Sequence, residues 1–166
     1  MNVLRIVLLL CLGLLITTST ALAGKCKPVS ANVGAVVNYY GAADCPPQSW
    51  DYDTCVLAPT NGTLNGDWWF YFYGMNAVEV YDPQAGHPGF WAGWSFSSFL
   101  TNKGELWTRD SWIIDFDYLV TSGGFNFYTQ TSEIIGGTGV YEGATGRFGF
   151  IGNEVAGIFR GEVCTQ

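Results

Sequence analysis

The stretch GGTGVYEGATG, Gly136 to Gly146, puts five glycines into eleven residues between two runs that read as strands. Glycines gathered in this way mark backbone that needs φ > 0 or passes close to another backbone, so the segment is a shaped turn. Only Val140, Tyr141 and Glu142 carry sizeable side chains within it. Tyr141 is therefore expected to be presented from the turn onto one end of whatever the flanking strands enclose, and a closed β structure fits this best.

Most of the rest of the chain also reads as strands. Ala31 to Gly41 is small and β-branched, Val56 to Leu57 pairs briefly, and GDWWFYFYGM from Gly66 is the most apolar run after the N-terminus. Gly89 to Leu100, Gly104 to Phe116, Phe125 to Ile135, Arg147 to Ile151 and Ala156 to Cys164 follow, separated by turns rich in Gly and Asn. The count reaches seven or eight strands with no convincing amphipathic helix, the pattern of a meander or up-and-down barrel.

In GDWWFYFYGM, Trp68, Phe70 and Phe72 alternate with Trp69, Tyr71 and Tyr73, so neither face suits water. A strand apolar on both sides must be covered on both sides. One set fills a barrel interior, and without a helix to cover the other set, a second chain is the expected cover. A homo-oligomer, dimer or trimer, is the inference.

The N-terminus reads as a signal peptide, residues 1–23, with Arg5, the apolar core IVLLLCLGLLI and an Ala21-Leu22-Ala23 cleavage signal. Residues 24–166 then form a single domain, secreted or periplasmic, with no stable membrane insertion after cleavage. The chain carries seven Lys+Arg against fourteen Asp+Glu, and losing Arg5 takes the formal charge from −7 to −8. That balance argues against nucleic acid or an anionic membrane surface as partner.

Of the five cysteines, Cys11 lies in the leader, and the remaining four read as two disulfides in an exported chain. Three pairings are open: Cys45 and Cys55 flank a short loop, and Cys26 and Cys164 stand at the two ends of the domain. With no C-x-x-C and His87 the only histidine, neither a metal site nor a Ser/His/Asp arrangement is expected. Asn61-Gly62-Thr63 is an N-glycosylation sequon that matters only in a eukaryotic host.

The segment from Gly104 to Cys164, with GELWTRDSWIIDFD, FYTQTSEI, GGTGVYEGATGRFGFIGN and GIFRGEVC, resembles the allene oxide cyclase and dirigent superfamily, above all its secreted barrel-like members. The resemblance is most specific in the glycine turn. It implies an all-β fold, an eight-stranded antiparallel, calycin-like barrel with an apolar cavity, often dimeric or trimeric. It also implies an isomerase, cyclase or stereochemical guide for a small hydrophobic substrate of oxylipin, polyketide or phenolic type, without a cofactor. Gly66-Asp67-Trp68 and Arg160 have a looser likeness to lipocalin barrels, and the alternative function is a non-catalytic barrel that binds an apolar molecule or serves as an oligomeric structural protein.

Strand parity supplies the candidate chemistry. On Gly104–Phe116 the more apolar face carries Leu106, Thr108, Asp110, Trp112 and Ile114, which places Asp110 inside as a candidate general acid or base. Phe125–Ile135 gives no clear inward face, with Glu133 either a second catalytic carboxylate or a solvated one. Arg160 is either the cation that neutralises Asp110 or Glu133, or an exposed strand residue. Tyr71, Tyr73, Trp94, Trp112 and Tyr128 are the remaining candidate ligand-binding side chains, since aromatic walls with a few polar groups suit a small-molecule site.

Overall fold

A computed structural model describes residues 24–72, 78–82, 87–115 and 127–166. The predicted leader and Tyr73 lie outside the described residues. Ten strands are present: β1 (Lys25–Val33), β2 (Asn38–Gly41), β3 (Thr54–Gly62), β4 (Gly66–Phe72), β5 (Val78–Asp82), β6 (His87–Thr101), β7 (Gly104–Asp115), β8 (Phe127–Gly137), β9 (Thr145–Gly152) and β10 (Gly157–Thr165). Two single 3₁₀ turns, 42–44 and 139–141, are the only helical pieces among the described residues.

Eight strands close into an antiparallel barrel in the order β1-β10-β9-β8-β7-β6-β4-β3, and Ala31–Val33 of β1 pair with Thr60–Gly62 of β3 to complete the circle. The expected up-and-down barrel is therefore what forms. β2 and β5 lie outside the count: β2 pairs only with β3, and β5 only with the first half of β6, whose second half pairs with β4.

The single strand expected over Ala31–Gly41 is two strands broken at residues 34–37, and β1 starts earlier, at Lys25. The break lies where Gly34 N–H and Val37 N–H donate to Pro59 and Leu57 carbonyls. Pro59 has no N–H to return, so the ladder lapses there, and the chain passes from β1, paired along its length with β10, to β2, paired with β3.

Inward positions alternate as period-2 geometry requires. Trp68, Phe99, Leu106, Phe148, Phe150 and Phe159 fill the lower half of the lumen, together with Val29, Ala31, Val33 and Val163. The rings meet mostly edge-on, for example Trp68 with Phe159 at 5.1 Å and 85°, and Phe99 with Phe148 at 5.3 Å and 82°. Such pairs add about 0.5–1.5 kcal/mol each beyond burial. Leu64, from the β3–β4 turn, and Tyr141, from the glycine turn, close this lower end, 1% and 6% exposed.

The outer side of β4 has a cover of its own. Residues 45–53 fold back over it as a flap tied by the Cys45–Cys55 disulfide. Trp50 stacks on Phe96 at 5.0 Å and meets Tyr71 edge-on at 5.6 Å, and Tyr52 packs on Tyr71 at 5.0 Å. Tyr71 is fully buried as a result. Of the face assigned from sequence to a second chain, Tyr71 is thus covered within the chain and Trp69 partly so.

The second disulfide joins Cys26 and Cys164, which stand directly opposite each other on β1 and β10. Both pairings are the ones that the positions of the cysteines suggested. No described helix is long and apolar enough to cross a membrane.

Candidate functional site

The inward face of β7 is the predicted one, and it carries a carboxyl into the middle of the lumen. Asp110 is 1% exposed. Its neighbours on either side are the inward residues of β6 and β8, Ser95 and Ser132, in direct register. Ser97 Oγ donates to Asp110 Oδ2 at 2.5 Å, Ser95 Oγ to the same oxygen at 3.4 Å, and Thr108 Oγ1 to Oδ1 at 2.8 Å. Ser132 and Gln130 of β8 lie on the same inward face beside Asp110.

No cation takes part. Burial pushes the Asp110 carboxyl up to about 6, and the hydrogen bonds from Ser97, Ser132, Thr108 and Gln130 oppose that rise. A carboxyl in this range exchanges its proton near neutrality, which is what a general acid or base needs.

Three inward residues of β8 make a polar file that leads away from Asp110. Gln130 Nε2 donates to Ser132 Oγ at 2.8 Å, and Tyr128 Oη donates to Gln130 Oε1. Ser132 and Gln130 are buried, whereas Tyr128 is half-buried. The inward residues around Tyr128 and above Asp110, namely Phe70, Phe72, Trp112 and Ile114, are likewise partly accessible. Among the described residues the lumen is therefore closed below Asp110 and less tightly buried toward the other end, and the file spans the boundary. Burial and the nearby Asp110 charge raise the Tyr128 hydroxyl well above its usual range, so Tyr128 remains a hydrogen-bond donor. Trp112 and Trp68 also point inward, and their buried indole N–H groups have no partner.

The other candidates lie elsewhere. Glu133 is on the outer wall, paired with Arg109 at 2.5 Å, with both side chains mostly exposed. It shares no space with Asp110, because adjacent parity sends the two carboxylates to opposite sides of the wall. Arg160 is exposed on the outer side of β10 and neutralises neither. Trp94 is outside and 44% exposed. Tyr71 lies outside the lumen beneath the flap, its hydroxyl pushed up to about 12 by burial first and by Glu105 and Tyr52, against a hydrogen bond from Gln48. Of the sequence candidates, the lumen brings together Asp110, Trp112 and Tyr128.

Ser95, Ser97, Thr108, Gln130 and Ser132 were not singled out by sequence reading. The available signal was pairing: an inward acid on β7 calls for polar inward neighbours on β6 and β8, and SFSSF and YTQTS supply them at matching parity. No group of three or more His, Cys, Asp or Glu side chains able to hold a metal occurs among the described residues.

Comparison with family models, with curated proteins and with solved structures finds no match to this chain. The superfamily resemblance rests on the sequence of 104–164.

Proposed function

We propose that the protein is an exported barrel that takes a small hydrophobic molecule into the accessible half of its lumen and guides a cyclisation or isomerisation there. The observation that carries this reading is the hydrogen-bonded file Tyr128–Gln130–Ser132, which leads from the less buried half of an aromatic lumen toward a buried carboxyl in register with Ser132. Aromatic walls from Phe70, Phe72 and Trp112 orient an apolar substrate and exclude water, which is the main source of rate in such chemistry. Asp110 supplies or accepts one proton, and Trp112, whose buried indole N–H has no partner, offers a donor to a substrate oxygen. The two disulfides support export to an oxidising compartment.

A second reading, a binder without turnover, is favoured by one specific fact. The oxygens of Asp110 already accept bonds from hydroxyl groups, and the side chain is sealed. The two readings part on one experiment. The folded protein should bind an apolar fluorescent probe stoichiometrically, and screening against oxylipin epoxides, linear polyketides and phenolic radicals should give a stereochemically biased product that Asp110→Asn abolishes without loss of fold. Binding without any product supports the binder, and absence of probe binding by the folded protein removes both.

A further inference from the structure

The outer wall beside the flap carries a groove that the lumen chemistry does not use. A surface depression of about 700 Å³ crosses β6 to β10 and is lined by Trp94, Ser111, Thr131, Glu133, Arg147 and Glu162, with Arg109 beside them. A second, of about 340 Å³, shares Ser111 and Thr131 with it and extends to Ala92 and Ile113. A third, of about 400 Å³, shares Arg147 and Glu162 and extends to Lys27 and Pro28. The three share lining residues and follow one another diagonally across the wall.

Its composition follows from the register. Arg109, Glu133, Arg147 and Glu162 stand side by side on four successive strands, two cations alternating with two anions. The next outward row holds Trp94, Ser111, Thr131 and Gly149, and the row beyond it holds Ile113, Thr129 and Ile151. The groove therefore has a wall of alternating charges with Lys27 beyond it, a floor of small hydroxyl residues and an apolar wall. Arg109 and Glu133 form the only ion pair on this face among the described residues, and Arg147, in register with an acid on each side, pairs with neither.

Trp94 stands at one end with its ring fixed. It meets Phe96 edge-on at 5.7 Å and 86°, and Phe96 is clamped by the parallel ring of Trp50. The ring is held in place and 44% exposed. An aromatic surface already fixed before binding costs little entropy when a ligand stacks on it.

We propose that this groove binds an uncharged glycan chain. Sugar rings have an apolar face of C–H groups, which fits Trp94 and the isoleucine wall, and an edge of hydroxyls that both donate and accept. Arginine offers only donors and glutamate only acceptors, while Ser111 and Thr131 offer both, so the alternating row meets that edge in either sense. The chain's net charge of −7 disfavours a polyanion. A peptide would need backbone partners, and β6 to β10 have both edges paired within the closed barrel.

Isothermal titration of the purified protein with cellohexaose, xylohexaose, laminarihexaose and mannohexaose tests this, with a heparin hexasaccharide as the charged comparison. At least one neutral hexasaccharide should bind, heparin should not, and Trp94→Ala should weaken binding about tenfold, the loss of one stacking contact. Glu133→Gln should weaken it too, while both variants keep the wild-type circular dichroism and melting cooperativity. The proposal is overturned if none of the four binds at millimolar concentration, if heparin binds as well as they do, or if Trp94→Ala leaves affinity unchanged. It is also overturned if sedimentation shows a dimer that Arg109→Glu dissociates, which would assign the groove to a second copy of the chain.

Discussion

Ser97 and Asp110, diagonal neighbours across the β6–β7 ladder, share a 2.5 Å hydrogen bond inside the barrel. The bond favours the ionised carboxylate, yet Asp110 still titrates at about 6, because burial outweighs every hydrogen bond that it receives. The consequence is a folded state that holds a proton more tightly than the unfolded chain does.

The sign of the pH dependence follows. Between the ordinary value of 3.8 and about 6 the folded state binds more protons than the unfolded one, so the contribution of Asp110 is fully present below 3.8 and is lost as pH rises through about 6. Asp110→Asn, which cannot ionise, should gain stability relative to wild type over that window, by an amount on the order of 3 kcal/mol, and the difference should level off above it. Urea denaturation of both proteins at pH 4, 5, 6 and 7 measures this. A stability difference that does not change with pH would show that the carboxyl is not perturbed.

Trp50 anchors the flap through contacts with Phe96, Tyr71 and Trp107. Trp50→Ala should cost about 2–4 kcal/mol and uncover Tyr71 and Phe96 while leaving the barrel intact. Thermal melts should show the loss, far-ultraviolet circular dichroism should stay unchanged, and an apolar dye should bind the outer wall. If the flap is held by its disulfide alone, the melt will not move.

The sequence carried the barrel and the inward face of β7 because both depend on alternation, which is local. Leu106, Thr108 and Asp110 could be placed inside by parity alone, and they are inside. The flap was not legible, since residues 45–53 have a loop's composition and nothing local says which surface a loop will lie on; the apolar outer face of β4 was visible, but not that this loop lies over Tyr71. Glu133 and Arg160 were ambiguous for a related reason. β8 places similar polar character on both faces, and pairing with β7, where inward Ser132 opposes Asp110, decides for Glu133; β10 carries Arg160 and Glu162 on one face and Phe159 and Val163 on the other, and Phe159 opposes inward Phe150. The file from Tyr128 to Asp110 became visible only once three strands were in register.

The two disulfides close loops of very different length, with sequence separations of 138 and 10. In the loop-entropy account the Cys26–Cys164 bridge contributes about 5 kcal/mol and the Cys45–Cys55 bridge about 3 kcal/mol. Cys26→Ser with Cys164→Ser should therefore lower the denaturation midpoint more than Cys45→Ser with Cys55→Ser. The order should reverse in dye binding, because only the second pair frees the flap from Tyr71. Equal loss of stability in the two double variants would mean that native contacts, not chain entropy, set the effect.

The glycine turn is held against the β6–β7 hairpin by backbone bonds, with Thr138 N–H donating to the Glu105 carbonyl at 2.7 Å and Val140 N–H to that of Lys103 at 3.1 Å. That docking needs Gly104. Its φ is +132°, and a Cβ there would lie 2.2 Å from the Thr138 carbonyl oxygen, so two backbones would have to part. Gly104→Ala should cost about 1–3 kcal/mol from strain alone and more from the displaced contact, and by shifting the turn it should expose Tyr141 at the sealed end. Gly41→Ala is the matched control, since a Cβ at Gly41 meets nothing within 4 Å and the loss of unfolded-chain freedom favours the variant slightly. Chemical denaturation of the pair, with Tyr141 accessibility read by nitration, would refute the packing argument if the two substitutions behaved alike.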